Sequence, residues 1–391
     1  MFVGNPGSAM PSLPSQRHLF DVPEDIAYFN CAYNSPQLNA SRDRLVAGVH
    51  TKIHPWERTP ANFFDDAETL RSLASSLFGG DPDGYAIIPA ASYGLSAAAR
   101  AIEPHLAPGD RILVIADEFP SNVLPWKRTA QVRGAVLETV PNPEGGSWTQ
   151  AILARIDRGV KVVAVSTCHW TNGAHIDLLP IGKACRESGS VLVVDATQSL
   201  GAMPFPLEEI QPDFLVAAGY KWLLCPYGFG LLYVSEPWRD ARPLEETWLA
   251  RLHAEDFTSL VQYSDTYMPG ARRFEVGEKC TASILPGAIA ALEQLRAWGV
   301  ENIAASLAAV NSTLTVRLEQ LGFQLPERAQ RCPHMVGAQL PSTQPGSLVS
   351  ELRKRNIYIS QRGNAVRFAP HLHITEQDVK RLLGALEDLA G

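Results

Sequence analysis

The sequence has little that would tie it to an oxidising compartment, a nucleic acid or a membrane. Only six of its 391 residues are cysteine (Cys31, Cys168, Cys185, Cys225, Cys280 and Cys332), and they form no Cys-x-x-Cys pair and no Cys/His cluster at zinc spacing. That scatter argues against a disulfide scaffold and against structural zinc. Positive charge is also scarce. The 34 Lys and Arg against 41 Asp and Glu leave a formal charge of −7, with no cationic excess to neutralise a phosphate backbone or an anionic bilayer. Nowhere do roughly eighteen apolar residues run together, and the opening stretch MFVGNPGSAMPSLPSQRHLF has no basic segment followed by an apolar one. The expectation is a cytoplasmic protein with neither nucleic acid nor membrane as partner.

What is present is an ordinary globular composition, 46% hydrophobic and 19% charged, in a chain long enough for two or three domains. Between about residues 60 and 235, short β-branched runs alternate with helical stretches, which predicts a largely parallel sheet covered by helices. Seven strands are expected: 85–89, 111–116, 135–140, 161–166, 191–195, 213–218 and 230–234. Runs such as VVAVS, VLVV and ILVI are apolar on both faces, as a strand between two helix layers requires. Beyond them a long helical stretch is expected over 284–321, followed by a strand at 334–340, a helix at 347–356, strands near Tyr358 and Val366, and a terminal helix capped by Thr375 with Asp378 at capping-box spacing. The expected division is an N-terminal arm over 1–25, its first twenty residues loose, a large domain over 26–265 and a small α+β domain over 266–391.

In open α/β sheets ligands bind beyond the carboxyl ends of the strands, so the residues just after each strand carry the interest. VLVVDATQSLGA delivers Asp195 at a strand end, and DFLVAAGYKWLLCPYGFG delivers Lys221 just past the next one. Each alone also reads as a helix-capping Asp and a surface Lys. Together they suit pyridoxal phosphate (PLP), with Lys as the Schiff-base amine and Asp as the partner of the pyridine nitrogen.

The pattern Val194, Asp195, Gln198, Lys221 and Pro226-Tyr227-Gly228-Phe229-Gly230 resembles the class V aminotransferase family of fold type I PLP enzymes, which includes cysteine desulfurases, kynureninase and isopenicillin N epimerase. Most of the chain takes part in the resemblance. It implies a central, mostly parallel seven-stranded sheet with helices on both faces plus the smaller α+β domain, and a homodimer with its active sites at the interface. It also implies roles for particular residues. Asp195 pairs with the pyridine nitrogen, Gln198 bonds the phenolic oxygen, and Lys221 binds the cofactor and carries the proton at Cα. Cys225 stands where the family usually has Gly.

The stretch IIPAASYGLSAAARAI matches the turn that holds the cofactor phosphate, with Ala91, Ser92 and Tyr93 at those positions and Tyr220 as a further phosphate donor. In DEFPSNVLPWKR, Glu118, Asn122, Pro125 and Trp126 keep the desulfurase pattern, while Phe119 replaces the ring-stacking His. Trp170 takes the place of a cofactor-contacting Asn; His169 beside it reads as a surface or satisfied histidine. In RRFEVGEKC, Glu278 replaces a Thr that reaches the neighbouring subunit's phosphate, which leaves Arg272, Arg273 or Lys279 to take over that contact or a charged domain-linker helix start. Arg367 matches the guanidinium that grips the substrate carboxylate, with Arg362 and His371 as second-tier candidates, and Ala32 and Tyr33 are expected to close over the substrate. The loop SQRGNAVR before Arg367 has no cysteine, which argues against persulfide chemistry there. The resulting expectation is a PLP-dependent enzyme acting at Cα of an amino acid or amine, an aminotransferase first. An epimerase or a β-eliminating C–S lyase is the alternative, and a catalytically inactive PLP-binding protein comes after both.

Overall fold

The computed structural model describes residues 13–143, 146–341 and 347–390. In chain order the elements are β1 (Ala27–Tyr28), α1 (Asn39–Thr51), α2 (Asp65–Phe78), β2 (Tyr85–Ile88), α3 (Ala91–Ile102), β3 (Arg111–Ile115), α4 (Leu124–Arg133), β4 (Val136–Val140), α5 (Trp148–Leu153), β5 (Val160–Ser166), α6 (Leu178–Ser188), β6 (Val191–Asp195), α7 (Leu207–Ile210), β7 (Phe214–Ala218) and β8 (Gly230–Val234). They continue with α8 (Leu285–Trp298), α9 (Val300–Gln320), β9 (Val336–Gln339), α10 (Leu348–Lys354), β10 (Ile357–Tyr358), β11 (Ser360–Arg362), β12 (Ala365–Phe368) and α11 (Glu376–Ala390).

The seven expected strands form one sheet in the order β2-β8-β7-β6-β5-β3-β4. Only β8 runs against its neighbours; β7, β6, β5, β3 and β4 are parallel. β5, β6 and β7 are almost wholly buried, which is why their sequences are apolar on both faces. Two apolar clusters, one on each side of the sheet, make its core. Ile87, Leu113, Val163 and Val194 point into one and Ile88, Ile112, Val162 and Val193 into the other. α3 comes close to the sheet at Gly94, where a Cβ would lie 2.7 Å from Ile88 and 3.0 Å from Val216. That close approach fixes where the N-terminus of α3 stands.

A third cluster joins Leu314 and Leu318 of α9 to Val336, Leu352, Val366, Phe368 and Leu386, and Ala27 and Phe29 from the start of the chain complete it. Its sheet has the order β11-β12-β9, antiparallel throughout. The Thr375 and Asp378 capping box is present, with Asp378 N–H donating to Thr375 Oγ1 at 3.1 Å and Thr375 N–H to Asp378 Oδ2 at 3.0 Å. This unit docks on the loop after β5. Gly337 N–H donates to Asn172 O at 3.0 Å, and a Cβ on Gly337 would lie 2.2 Å from Asn172 Cα.

Two expectations change. The helical stretch over 284–321 is two helices, because Gly299 at φ +79° breaks it; α8 packs with α1 and α2 on the large body while the far end of α9 turns into the small cluster. The described part of the arm, from residue 13, is also tied down. Leu13 N–H donates to Ser306 Oγ, Arg17 pairs with Asp378 at 2.8 Å, and the buried Phe20 stacks on Trp298. Residues 1–12 lie outside the described residues. No helix among the described residues is long and apolar enough to cross a membrane.

Candidate active site

The strand ends of β5, β6 and β7, the loop after β3 and the N-terminus of α3 enclose a cavity of about 230 Å³. Lys221 lies there after β7, only 6% exposed. Its amine has no hydrogen-bond acceptor and no carboxylate in ion-pair range among the described residues; Nζ sits 5.5 Å from the ring centre of Phe119 and 5.7 Å from that of Tyr220. Burial pulls its pKa down to about 8, Asp195 opposing the shift and Arg367 and Arg362 adding to it. Asp195, at the end of β6, is also buried and pushed up by desolvation, while Thr197 and Lys221 favour its charge. Its Oδ1 accepts the Thr197 N–H at 3.0 Å.

α3 begins beside these two groups with no side-chain cap. The backbone N–H groups of Ala91 and Ser92 have no acceptor among the described residues, and both residues line the cavity. A helix N-terminus with free N–H groups and its positive dipole end is suited to a phosphate. Tyr93, the next residue, turns away and donates its hydroxyl to Glu275 O at 3.3 Å.

Phe119 and Trp170 meet edge to face across the cavity, centroids 5.3 Å apart. Trp170 is held by its indole N–H, which donates to Asp117 O at 2.6 Å. Gln198 lines the cavity with its amide engaged at both ends: Nε2 donates to Ala32 O at 3.0 Å and Oε1 accepts from Trp222 at 3.0 Å. Ala32 therefore orients Gln198 through its carbonyl and does not reach the cavity itself. Tyr220 lines the wall, its ring 4.5 Å from that of Tyr227. Tyr33 is exposed on the segment whose Ser35 N–H donates to Tyr220 O at 3.1 Å.

Arg367 stands behind Trp170. It is 1% exposed, its Nη1 donates to Trp170 O at 2.6 Å and its Nε to Ser360 Oγ at 3.1 Å, while Nη2 is buried without a partner. His169 faces away, stacked on Trp148, with Nε2 3.1 Å from Ala116 O. His371 is buried between Trp222 and Trp298, neither ring nitrogen partnered, and burial pushes its pKa down to about 3, so it is neutral.

The second-subunit phosphate contact expected around Glu278 finds its cations already engaged. Arg272 pairs with Glu68 and Asp83 at 2.6 Å, Arg273 with Asp240 at 2.7 Å and Lys279 with Glu275, while Glu278 itself is exposed. Glu68, Asp83 and Asp240 come from elsewhere in the chain and Glu275 from the same segment, and together they satisfy these charges within the chain.

Sequence reasoning noticed Glu118 only as part of a pattern. The structure buries it in the cavity wall, where its carboxylate accepts from Phe119 N–H at 2.7 Å and from Asn122 at 3.4 Å. Burial and then the Asp195 charge push its pKa up to about 7, against hydrogen bonds from Phe119, Ser166 and Asn122. Cys168 also lines the wall. Burial disfavours its thiolate, but hydrogen bonds with Cys332 and His334 hold the thiol below its ordinary range. Its place at the end of β5 was the signal that could have found it.

A buried amine with no counter-charge, a carboxylate near enough to feel its charge, stacking faces and a free helix N-terminus fit PLP. Lys221 would hold its aldehyde carbon, Asp195 its ring nitrogen, Phe119 its ring face and the start of α3 its phosphate. Comparisons with known proteins agree. A "Probable cysteine desulfurase" of Pyrococcus abyssi is 25% identical over 94% of this chain and 96% of its own. The "Uncharacterized aminotransferase YcbU" of Bacillus subtilis is 26% identical over 83% of this chain and 84% of its own. Among solved structures, C-DES with glycine covalently linked to its PLP cofactor superposes with a TM-score of 0.83 at 20% identity, covering 95% of this chain and 99% of that one. A second C-DES structure, which calls it a cystine C–S lyase in complex with its product cysteine persulfide, has a TM-score of 0.82 at 19% identity, covering 94% and 98%. The family model "Aminotransferase class-V" matches residues 45–382, and the chain belongs to that family.

Proposed function

We propose that the chain is a PLP-dependent enzyme that acts at Cα of an α-amino acid and expels a substituent from Cβ, C–S bond cleavage being the leading case. The observation that carries the reading is the Lys221 amine, buried and unpaired across the cavity from Asp195. PLP supplies an electron sink for the pair of electrons released at Cα. The protein supplies the rest. Arg367, whose Nη2 is buried without a partner behind Trp170, is the group we assign to the α-carboxylate, a contact that would fix which bond at Cα stands toward the sink. Lys221, with its pKa lowered to about 8, takes the Cα proton as base and passes it as acid to the sulfur that leaves Cβ. Asp195 would hold the ring nitrogen in its protonated form, and Phe119 would cover one face of the ring, with Trp170 edge to face against it.

Two observations support elimination over the transamination expected first from the sequence. Full-length relatives include a protein named a cysteine desulfurase and a structural neighbour named a C–S lyase. The β11–β12 hairpin beside Arg367 closes in the two residues Gly363 and Asn364 with no cysteine, so sulfur expelled there would leave as sulfide and not as a persulfide on that hairpin. Transamination is the second reading, favoured by the relative named an aminotransferase and by its need for no group beyond Lys221. We read the exposed Trp56, Phe257, Val261 and Tyr263 as part of a homodimer face.

The test is PLP-reconstituted protein given L-cysteine. Pyruvate, ammonia and sulfide in equal amounts, with the cofactor unchanged at the end, are expected. Conversion of the cofactor to its amine form without sulfide would replace elimination by transamination, and a protein that does not retain PLP would overturn the reading altogether.

A further inference from the structure

The wall of the cavity holds two carboxyl groups with an unsatisfied hydroxyl between them. The strands β6, β5 and β3 lie side by side in the sheet, and their ends deliver Asp195, Ser166 and, three residues past Ile115, Glu118. Ser166 and Asp195 are register partners, so their side chains project to the same face from strands about 4.8 Å apart. All three residues line the cavity, and none is more than 7% exposed. Ser166, at the end of the middle strand, therefore has one acid on each side.

Each acid has its own anchor. An indole N–H can only donate, so the bond from Trp126 to Asn122 Oδ1 at 3.2 Å turns the Asn122 amide nitrogen toward Glu118 Oε2, 3.4 Å away, while Glu118 Oε1 takes the Phe119 N–H at 2.7 Å. Asp195 is served by Thr197, whose hydroxyl in turn accepts the Ala218 N–H at 3.1 Å. Lys221 is the one cation that lines the cavity among the described residues, and it lies outside ion-pair range of both acids. The Ser166 hydroxyl is buried with no partner in full hydrogen-bonding geometry, although it lies near enough to Glu118 to favour that group's charge. A buried hydroxyl left unsatisfied costs stability. Between two carboxyls that share one proton, a hydroxyl can accept from the protonated one and donate to the other.

We propose that Glu118 keeps a proton which it donates to Ser166 Oγ, that Ser166 in turn donates to Asp195, and that Glu118 is thereby a positioning residue for the carboxylate facing the cofactor's ring nitrogen. The proposal rests on the placing of that nitrogen at Asp195 given above. Every member of the row then has a partner. Glu118 is the neutral acid, as burial and the Asp195 charge favour, and Asp195 is the ionised one, as a positively charged ring nitrogen requires. The donors run in one direction, from Trp126 through Asn122, Glu118 and Ser166 to Asp195, and bonds aligned in this way strengthen one another.

The test uses PLP-loaded protein at pH 6, below the value of about 7 to which Glu118 is raised. The dissociation constant of PLP is read by equilibrium dialysis, and the ring nitrogen by NMR of nitrogen-15-labelled PLP. Ser166→Ala is expected to weaken PLP binding about tenfold, the loss of one hydrogen bond to a charged group, and to move the ring-nitrogen signal toward its unprotonated position. Ser166→Thr, which keeps the hydroxyl, should hold PLP nearly as the wild type does. Glu118→Leu should match Ser166→Ala, and the double variant should be no weaker than either single one. Glu118→Gln, whose amide N–H still donates to Ser166, should stay close to wild type. Unchanged PLP binding in Ser166→Ala, a Glu118→Gln variant as weak as Glu118→Leu, or single losses that add in the double variant would overturn the proposal. Ser166→Ala and Ser166→Thr decide it by themselves if Glu118→Leu does not fold. A wild type that retains no PLP would overturn the reading of the site and the proposal with it, whereas a wild type that retains PLP beside an unaffected Ser166→Ala overturns the proposal alone.

Discussion

Two lysines are buried in this molecule and live in opposite circumstances. Lys279 is 2% exposed and bound to Glu275, which also takes Arg71 and the Ile87 N–H. Lys221 is 6% exposed with no acceptor among the described residues, and a cavity in front of it. A buried charge that is paired and hydrogen-bonded holds structure together, whereas a buried charge left alone weakens the fold and is kept for what it does when something arrives. The pKa of Lys221 falls to about 8 through desolvation, the change that turns an ammonium into a usable base near neutral pH. The difference marks which charged cluster is architecture and which is the candidate active site.

Exchanging each lysine for methionine should break the comparison in opposite directions. Lys221→Met is expected to lower turnover at least about 10³-fold, in line with the loss of a positioned acid–base group, and to stabilise the cofactor-free protein. Below pH 8 the folded state carries the full cost of a desolvated ammonium. As pH rises from about 8 to 10.5 the unfolded chain binds more protons than the folded one, so wild-type stability climbs and the advantage of the variant shrinks. Melting temperatures of both proteins from pH 7 to 10.5 check this; a destabilised Lys221→Met would mean that the amine has a partner in solution. Lys279→Met should instead melt lower at every pH in that range. The next largest effect is Glu275→Leu, which strands Lys279 and weakens the support of Arg71. It should cost about 3 to 5 kcal/mol in denaturant titration, the usual penalty for breaking a buried ion pair from one side.

How much of this was legible depends on the distance along the chain over which each feature is decided. The strands β5, β6 and β7 are local runs buried on both faces, so VVAVS and VLVV announce them. Asp195 and Lys221 follow from strand-end position and Gln198 from the family pattern around them, and all three line the cavity. Tyr93 did not follow, because one further step along a helix rotates a side chain by about 100° and takes it from the cavity to Glu275. The break at Gly299 was hidden by apolar periodicity on both sides of it. Least legible were the partners of Arg272. Glu68 lies in α2 and Asp83 just before β2, both far away in sequence, so whether that cation is free for a ligand is decided only by tertiary packing. Glu118 belongs with these: its pattern was visible, but its burial against Ser166 and Asp195 needed β5 and β6 beside it.

Glu118 also gives the finest test of the contrast, since it is a buried acid in the same cavity as the buried base. Desolvation first and the Asp195 charge second raise its pKa to about 7. Between pH 4.5 and about 7 the folded protein keeps a proton that the unfolded chain has released, so stability falls as pH rises through that window and is flat above it. Glu118→Gln is neutral in both states and removes that slope, so the gap between variant and wild type should open between pH 4.5 and 7. The opening is at most about 3 kcal/mol, and less if water relaxes around the carboxylate. Thermal melts of the cofactor-free proteins at pH 5, 6, 7 and 8 measure it. Loading the site with PLP should narrow the gap, because a protonated ring nitrogen beside Asp195 offsets the charge that acts on Glu118. A gap that is constant with pH would show Glu118 ionised throughout, held by the Phe119 N–H, Ser166 and Asn122 more strongly than burial disfavours it. The cavity would then contain two permanent carboxylates facing one amine.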